Sequence, residues 1–189
     1  MSDHKIVSKS EKFDSSKYWI ENGIDLVKRR IMLDEEVDEY STGWLFRAIY
    51  KMVEMDKTAP IDFIINSYGG SVYDGMMLYD LIRSLDYLTV RTYATGKIMS
   101  MGLILFLAGD ERKASTNATF MAHSLSSGVW GKMREIEVDV KECKRLNNIL
   151  IGILAERSKH TVNWWNKEIK HEDCFYDVHK AIDLGLVDL

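Results

Sequence analysis

Thr89-Val90-Arg91-Thr92-Tyr93-Ala94-Thr95-Gly96-Lys97-Ile98-Met99-Ser100-Met101-Gly102 joins a β-branched and aromatic run to an apolar run that continues through Leu103–Leu107. The first part, Thr89–Ala94, has strand character, and Met101–Ala108 has helix character. Between them Ser100 sits among glycines at a strand-to-helix turn. Such a turn lifts a hydroxyl clear of the backbone, and the amides that follow it at the helix N-terminus can stabilise an oxyanion. Read alone, the segment equally suits a plain serine turn opening a buried helix.

Working outward, Ile61–Ile65 is a short, mostly apolar run of strand length, interrupted by Asp62 and ending in Asn66-Ser67-Tyr68-Gly69-Gly70-Ser71, which reads as a turn. Asp74–Leu85 has helical spacing through Met77, Leu81 and Ile82. Thr42–Met55 has it through Leu45, Ile49, Met52 and Val53. Tyr18–Lys28 reads as a helix leading into a strand at Arg30–Leu33. Lys113–Ala114 and Thr119–His123 are short strand candidates. This alternation predicts an α/β domain whose helices cover a sheet. Met133–Arg157 is different, because it carries apolar residues at helical spacing and has no Gly or Pro before Gly152. A helix of that length spans roughly 35 Å at about 1.5 Å per residue, enough to project from a domain of this size or to lie across its sheet. Beyond it come a helix through Trp164, Trp165 and Ile169, a strand at Cys174–Tyr176, and a last helix, Val178–Leu184, stopped by Gly185.

With 189 residues, 46% of them hydrophobic, the chain suits one domain, 18–189, preceded by a flexible polar segment, 1–17. A net charge of −4 argues against a nucleic-acid-binding face. The longest apolar run, Leu103–Ala108, is too short for a bilayer span, and the polar start resembles neither a signal peptide nor an anchor. Cys143 and Cys174 have no metal or redox spacing, which leaves a reducing, cytoplasmic setting as the expectation and no metal site. Five Trp, nine Tyr and ten Met supply adaptable contact surface for an oligomer, or core packing.

A serine nucleophile needs a base within hydrogen-bond reach and a carboxylate that fixes the base's tautomer. Of the five histidines, His4 falls in the polar head, and His160, His171 and His179 fall in polar surroundings. His123 ends a strand candidate just before the polar turn Ser124–Gly128, where residues of neighbouring strands meet in a crevice. With 29 Asp and Glu, composition cannot choose the acid.

Six segments occur in a particular order: Asn66–Ser71, Gly96…Met99-Ser100-Met101-Gly102, Phe120-Met121-Ala122-His123, Ile153–Arg157, Asp173-Cys174-Phe175 and Gly185-Leu186-Val187-Asp188. Together they resemble the proteolytic subunit of the Clp protease family (ClpP), over nearly the whole chain from Tyr18 to Asp188. The resemblance implies a ClpP/crotonase-like spiral of ββα units with a projecting handle helix at about 133–157. It implies Ser100 as nucleophile, His123 as general base and Asp173 as orienting carboxylate. The Gly70 and Met101 amides would form the oxyanion hole, and Gly69, Ser71, Ser124 and Leu125 would line the peptide. It further implies a self-compartmentalised serine endopeptidase acting on peptides and unfolded proteins. Two stacked heptameric rings would form a homo-oligomer fed by an AAA+ Clp ATPase. The chain itself would need no cofactor, ATP being used only by that partner, and no phosphate-binding glycine loop is present.

This chain departs from the family's pattern at Tyr68 and Leu125, where proline is usual, and at Lys97, Ile98 and Met99, where small residues precede the serine. Leu189 follows closely on Val187-Asp188, without the usual C-terminal extension. These departures suit an unusual member, viral or carried by a mobile element. Three other readings stand beside the protease. One is an acyl-CoA enzyme of the crotonase group, against which the joint presence of Ser100, His123 and Asp173 speaks. The second is a catalytically inactive ring subunit. The third is a dedicated, possibly viral, maturation protease working without an ATPase.

Overall fold

A computed structural model describes residues 15–188; the polar segment expected at 1–17 falls largely outside them. In chain order the elements are α1 (Ser15–Asn22), β1 (Ile24–Asp25), β2 (Arg30–Leu33), α2 (Glu39–Met55), β3 (Ile61–Ser67), α3 (Val72–Ser84) and β4 (Val90–Met99). After these come α4 (Met101–Leu107), β5 (Glu111–Ala114), β6 (Thr119–Ala122), α5 (Met133–Glu156), α6 (Val162–Glu168), β7 (Cys174–Tyr176) and α7 (Val178–Leu184). The expected α/β alternation is present.

One sheet runs β1-β2-β3-β4-β6-β7, with β5 also paired to β4. Strands β2 to β6 pair in parallel, so their C-terminal ends gather at one edge, while β1 and β7 run antiparallel at the margins. Strand β4 is the spine. Its first half, Arg91–Ala94, pairs with β5, and its second half, Lys97–Met99, pairs with β6. The expected end of this strand at Ala94 is therefore corrected: it continues to Met99, past Gly96, whose φ of 69° lies in the left-handed region that favours glycine.

Burial alternates along the strands. Ile61, Phe63, Ile65 and Ser67 of β3 are buried while Asp62, Ile64 and Asn66 are not. The buried face is covered by helices. Helix α4 (Met-Gly-Leu-Ile-Leu-Phe-Leu) is apolar on every side and wholly buried, the signature of a central core helix. Its Phe106 meets Phe120 of β6 at a centroid distance of 5.5 Å. Helix α2 starts at an Asp38 cap, whose carboxylate accepts the Tyr40 and Ser41 amides. Those amide bonds, that of Ser41 foremost, hold its pKa below the usual carboxylate value.

The helix expected over Tyr18–Lys28 is shorter. It stops at Asn22 because Gly23, at φ 63°, turns the chain so closely onto β2 that an added Cβ would lie 3.0 Å from the Met32 carbonyl. Residues Ile24–Asp25 then pair back on β2, and the Lys28 amide donates to Asp25. The long helix α5 runs through 24 residues, or about 36 Å. Its buried residues, Leu146, Ile151, Ile153 and Leu154, all lie in its second half, so the first three turns stand away from the core. Gly185 ends α7 in the left-handed conformation, as the sequence indicates.

Candidate active site

The parallel register decides what meets at the sheet edge. Ser100 leaves β4 and opens α4 with φ 53° and ψ −124°, a conformation that non-glycine residues rarely adopt; among the described non-glycine residues only Arg29 shares the positive φ. The strain is held by neighbours. The Ser100 amide donates to the Met121 carbonyl of β6 at 2.9 Å, and Leu103 and Ile104 donate back to the Ser100 carbonyl. His123 extends β6, on the sheet face shared by Thr119 and Met121. Its Nε2 lies 2.7 Å from Ser100 Oγ. With the other ring nitrogen carrying the proton, Nε2 accepts from the hydroxyl, the arrangement that general-base activation requires.

Strand β7 brings Asp173 alongside His123. The antiparallel register pairs Ala122 with Cys174, which places Asp173 opposite His123. Asp173 Oδ1 lies 3.8 Å from His123 Nδ1, an ion-pair distance and too long for a hydrogen bond; the acid's side chain is 57% exposed against 20% for the histidine. The pair Ser100–His123 is thus closed and the link to Asp173 is open. The neighbouring Cys174 is a free thiol whose pKa burial pushes up.

Gly70 and Met101 both line this cleft. Gly70 makes a parallel bridge with Val37: Val37 N–H donates to the Gly69 carbonyl at 2.8 Å, and Ser71 N–H donates to the Val37 carbonyl at 2.7 Å. In that pattern Gly70's own N–H points to the other edge of the segment, where Gly70 lines the cleft beside Ser100. Met101 is the first residue of α4, so no helix carbonyl lies behind its amide. Among the described residues no hydrogen bond occupies either N–H. Gly70 tolerates no side chain, since a Cβ would stand 2.3 Å from the Val37 carbonyl oxygen.

The remaining residues expected to contact a peptide have varied settings. Gly69, at φ 99°, backs the serine turn: a Cβ there would lie 2.7 Å from Ser100 Cβ and 2.8 Å from Met101 N. Ser71 caps α3, accepting the Asp74 amide, and Ser124 donates to the Ile169 carbonyl at 2.8 Å. Leu125 lines the cleft, while its amide donates 2.9 Å to Asn147 Oδ1 of α5. Apart from Ser126, the remaining walls are apolar, Val72, Ile104, Leu150 and Leu154 among them. Among the described residues no group of three or more His, Cys, Asp or Glu is placed to hold a metal, and no helix is long and apolar enough to cross a membrane.

The family model for Clp protease matches residues 15–189. The chain belongs to the Clp protease family. It is 32% identical over 165 residues to the ATP-dependent Clp protease proteolytic subunit 2 of Chlamydia trachomatis, a match covering 86% of this chain and 80% of that one. It is 29% identical over 167 residues to the ATP-dependent Clp protease proteolytic subunit of Bacteroides thetaiotaomicron, covering 86% and 74%. Membership makes the chain a ClpP-type serine peptidase with the α/β fold described above.

For this Clp-family chain, sequence reasoning missed the contribution of α5 to the site. Leu150 and Leu154 are four residues apart and form an apolar stripe that the sequence displays, but nothing in the stripe says that it faces the serine. Asn147, which accepts the Leu125 amide, left no sequence signal. Outside the cleft lining, Tyr73 and Arg145 both donate to Glu142 of α5. Arg145 first and Tyr73 second draw the Glu142 pKa down to about 2.

Proposed function

We propose that the chain is a self-compartmentalised endopeptidase that hydrolyses peptide bonds in unfolded polypeptides, with Ser100 as nucleophile. The observation that carries this reading is the 2.7 Å approach of His123 Nε2 to Ser100 Oγ on a positive-φ strand-to-helix turn. His123 takes the hydroxyl proton as Ser100 attacks the peptide carbonyl. The tetrahedral oxyanion rests on the Gly70 and Met101 amides, and His123 then protonates the leaving amine. Water, deprotonated by the same imidazole, attacks the acyl-enzyme and releases the acid. Asp173 orients the imidazole and stabilises it when charged, which requires closing the 3.8 Å separation by about an ångström, to hydrogen-bond length.

Assembly completes the scheme. The exposed first half of α5, with Met133 and Val138 uncovered, is the handle that meets the handles of an opposing ring, and two heptameric rings enclose the sites. A ring ATPase of the Clp type unfolds and feeds folded substrates; the chain itself uses no cofactor. The open Asp173 link favours one second reading, a ring subunit that assembles without catalysing.

Fluorophosphonate labelling with native mass spectrometry tests both. The expected result is one label per subunit on a particle of seven or fourteen chains, absent in Ser100→Ala. That variant should lose roughly 10³- to 10⁶-fold in turnover and keep the assembly. Peptidase activity retained in clean Ser100→Ala protein refutes the assignment, and an unlabelled particle of the same mass selects the inactive subunit.

A further inference from the structure

Lys97 is three residues before the nucleophile, and the mechanism does not use it. Alternation along β4 places it on the uncovered sheet face with Thr95 and Met99. Its backbone amide and its Nζ both donate to Asn66 Oδ1, at 3.2 and 3.3 Å, and Nζ stands 4.6 Å from the centroid of the Tyr68 ring. Both partners are neutral. Among the described residues no carboxylate lies within 4 Å of the ammonium, whereas Arg91 on the same strand is paired with Asp62 at 2.6 Å. Lys97 is therefore a positioned cation with its charge unmatched.

Its place relative to Ser100 follows from the chain. Tyr68, 69% exposed, precedes Gly69, which packs against the Ser100 turn, and Gly70, which lines the cleft. The cleft itself is lined by Gly70, Val72, Leu125, Leu150 and Leu154, and neither Tyr68 nor Lys97 lines it. A peptide laid along this edge with an apolar side chain in the cleft passes Ser100 and runs toward Tyr68 and Lys97.

We propose that Lys97, aimed by Asn66 and Tyr68, is a subsite for a peptide carboxylate on the side of the scissile bond opposite the apolar cleft. The proposal rests on Ser100 being a peptidase nucleophile, and it narrows the substrate class to segments with an apolar residue on one side of the cut and an acid on the other. A neutral amide and an aromatic face steer the ammonium without neutralising it, so an incoming carboxylate supplies the missing partner. The carboxylate comes from an Asp or Glu side chain or from the chain's own C-terminus.

The test uses internally quenched peptides with Leu on the cleft side and either Glu or Gln at the first, second or third position beyond the scissile bond. A further pair ends there in a free acid or an amide. The wild-type particle is expected to cleave the best-placed Glu peptide about three- to tenfold faster in kcat/KM than its Gln twin. The ratio should fall toward one in Lys97→Gln, persist in Lys97→Arg, and shrink as salt rises from about 50 to about 500 mM. A preference confined to the acid over the amide terminus identifies the chain end as the carboxylate and supports the subsite. Equal cleavage of all pairs by wild type, or a preference undiminished in Lys97→Gln, overturns the subsite while leaving the peptidase reading intact. A wild-type particle that cleaves no peptide and takes no fluorophosphonate overturns both.

Discussion

Replacing Gly69 by alanine adds one methyl group at the point where the serine turn has no room for it. The Cβ would sit 2.7 Å from Ser100 Cβ and 2.8 Å from both Met101 N and the Met99 carbonyl oxygen, and φ is 99°. Ordinary carbon–carbon contact begins near 3.5 Å, so the turn must retreat by about 0.8 Å from the new methyl. The obstructing atoms are backbone and the Ser100 Cβ, none of which can swing aside. Strain from the disallowed φ is about 1–3 kcal/mol and overpacking about 1–3 more, or about 2–6 kcal/mol together. At about 2–4 °C per kcal/mol for a domain of this size, Tm falls by about 4–24 °C. A displacement near 1 Å also costs on the order of 10² in rate. The assay is the fluorophosphonate labelling rate, measured at least about 10 °C below each variant's Tm so that only folded protein reports. Gly152→Ala is the control: that helix glycine has nothing within 4 Å of its Cβ position, and alanine there should stabilise by about 0.5–1 kcal/mol with the labelling rate unchanged. Wild-type labelling and Tm in Gly69→Ala would show that the serine turn is not held in place by the absence of that side chain.

Asp173→Asn should lower kcat by about 10⁴ by leaving His123 in the wrong tautomer, read with a fluorogenic peptide on the assembled particle; a loss below tenfold means another acid orients the imidazole. Asn147→Ala removes the acceptor of the Leu125 amide, and the part-buried N–H left behind costs about 1–3 kcal/mol. Thermal unfolding should show that cost in the wild-type background and lose most of it in Leu125→Pro, which has no N–H to satisfy; an additive double mutant would refute the coupling.

Much of this fold is legible in the sequence because its elements are locally self-consistent. Ile61–Ile65, Asp74–Leu85 and Met133–Arg157 carry the period of the structure they adopt, and the observed elements fall within a few residues of them. The errors arose where a tertiary contact decides. Nothing local in Tyr18–Lys28 says that Gly23 must press against Met32, and nothing in Thr89–Ala94 says that the strand runs on beyond Gly96 to pair with β6. Propensity describes a segment alone, whereas these boundaries belong to pairs of segments.

The candidate site divides the same way. Ser100 and His123 stand out because each follows a strand, and parallel strands bring their C-terminal ends to one edge whatever their separation in sequence. Gly69 and Gly70 stand out because only glycine fits where the chain approaches the turn and the Val37 segment so closely. Asp173 is different. It is one of 29 acidic residues, and only the antiparallel register of β7 on β6, a pairing between strands over fifty residues apart, sets it opposite His123. Its exposure and the 3.8 Å gap have the same origin: β7 is three residues long at the margin of the sheet, with a neighbour on one side only. Ser100 and His123, the proposed nucleophile and base, are held by the core strands β4 and β6, and Asp173, the proposed acid, by an edge strand. The link that sequence identifies least directly is therefore also the one the fold constrains least.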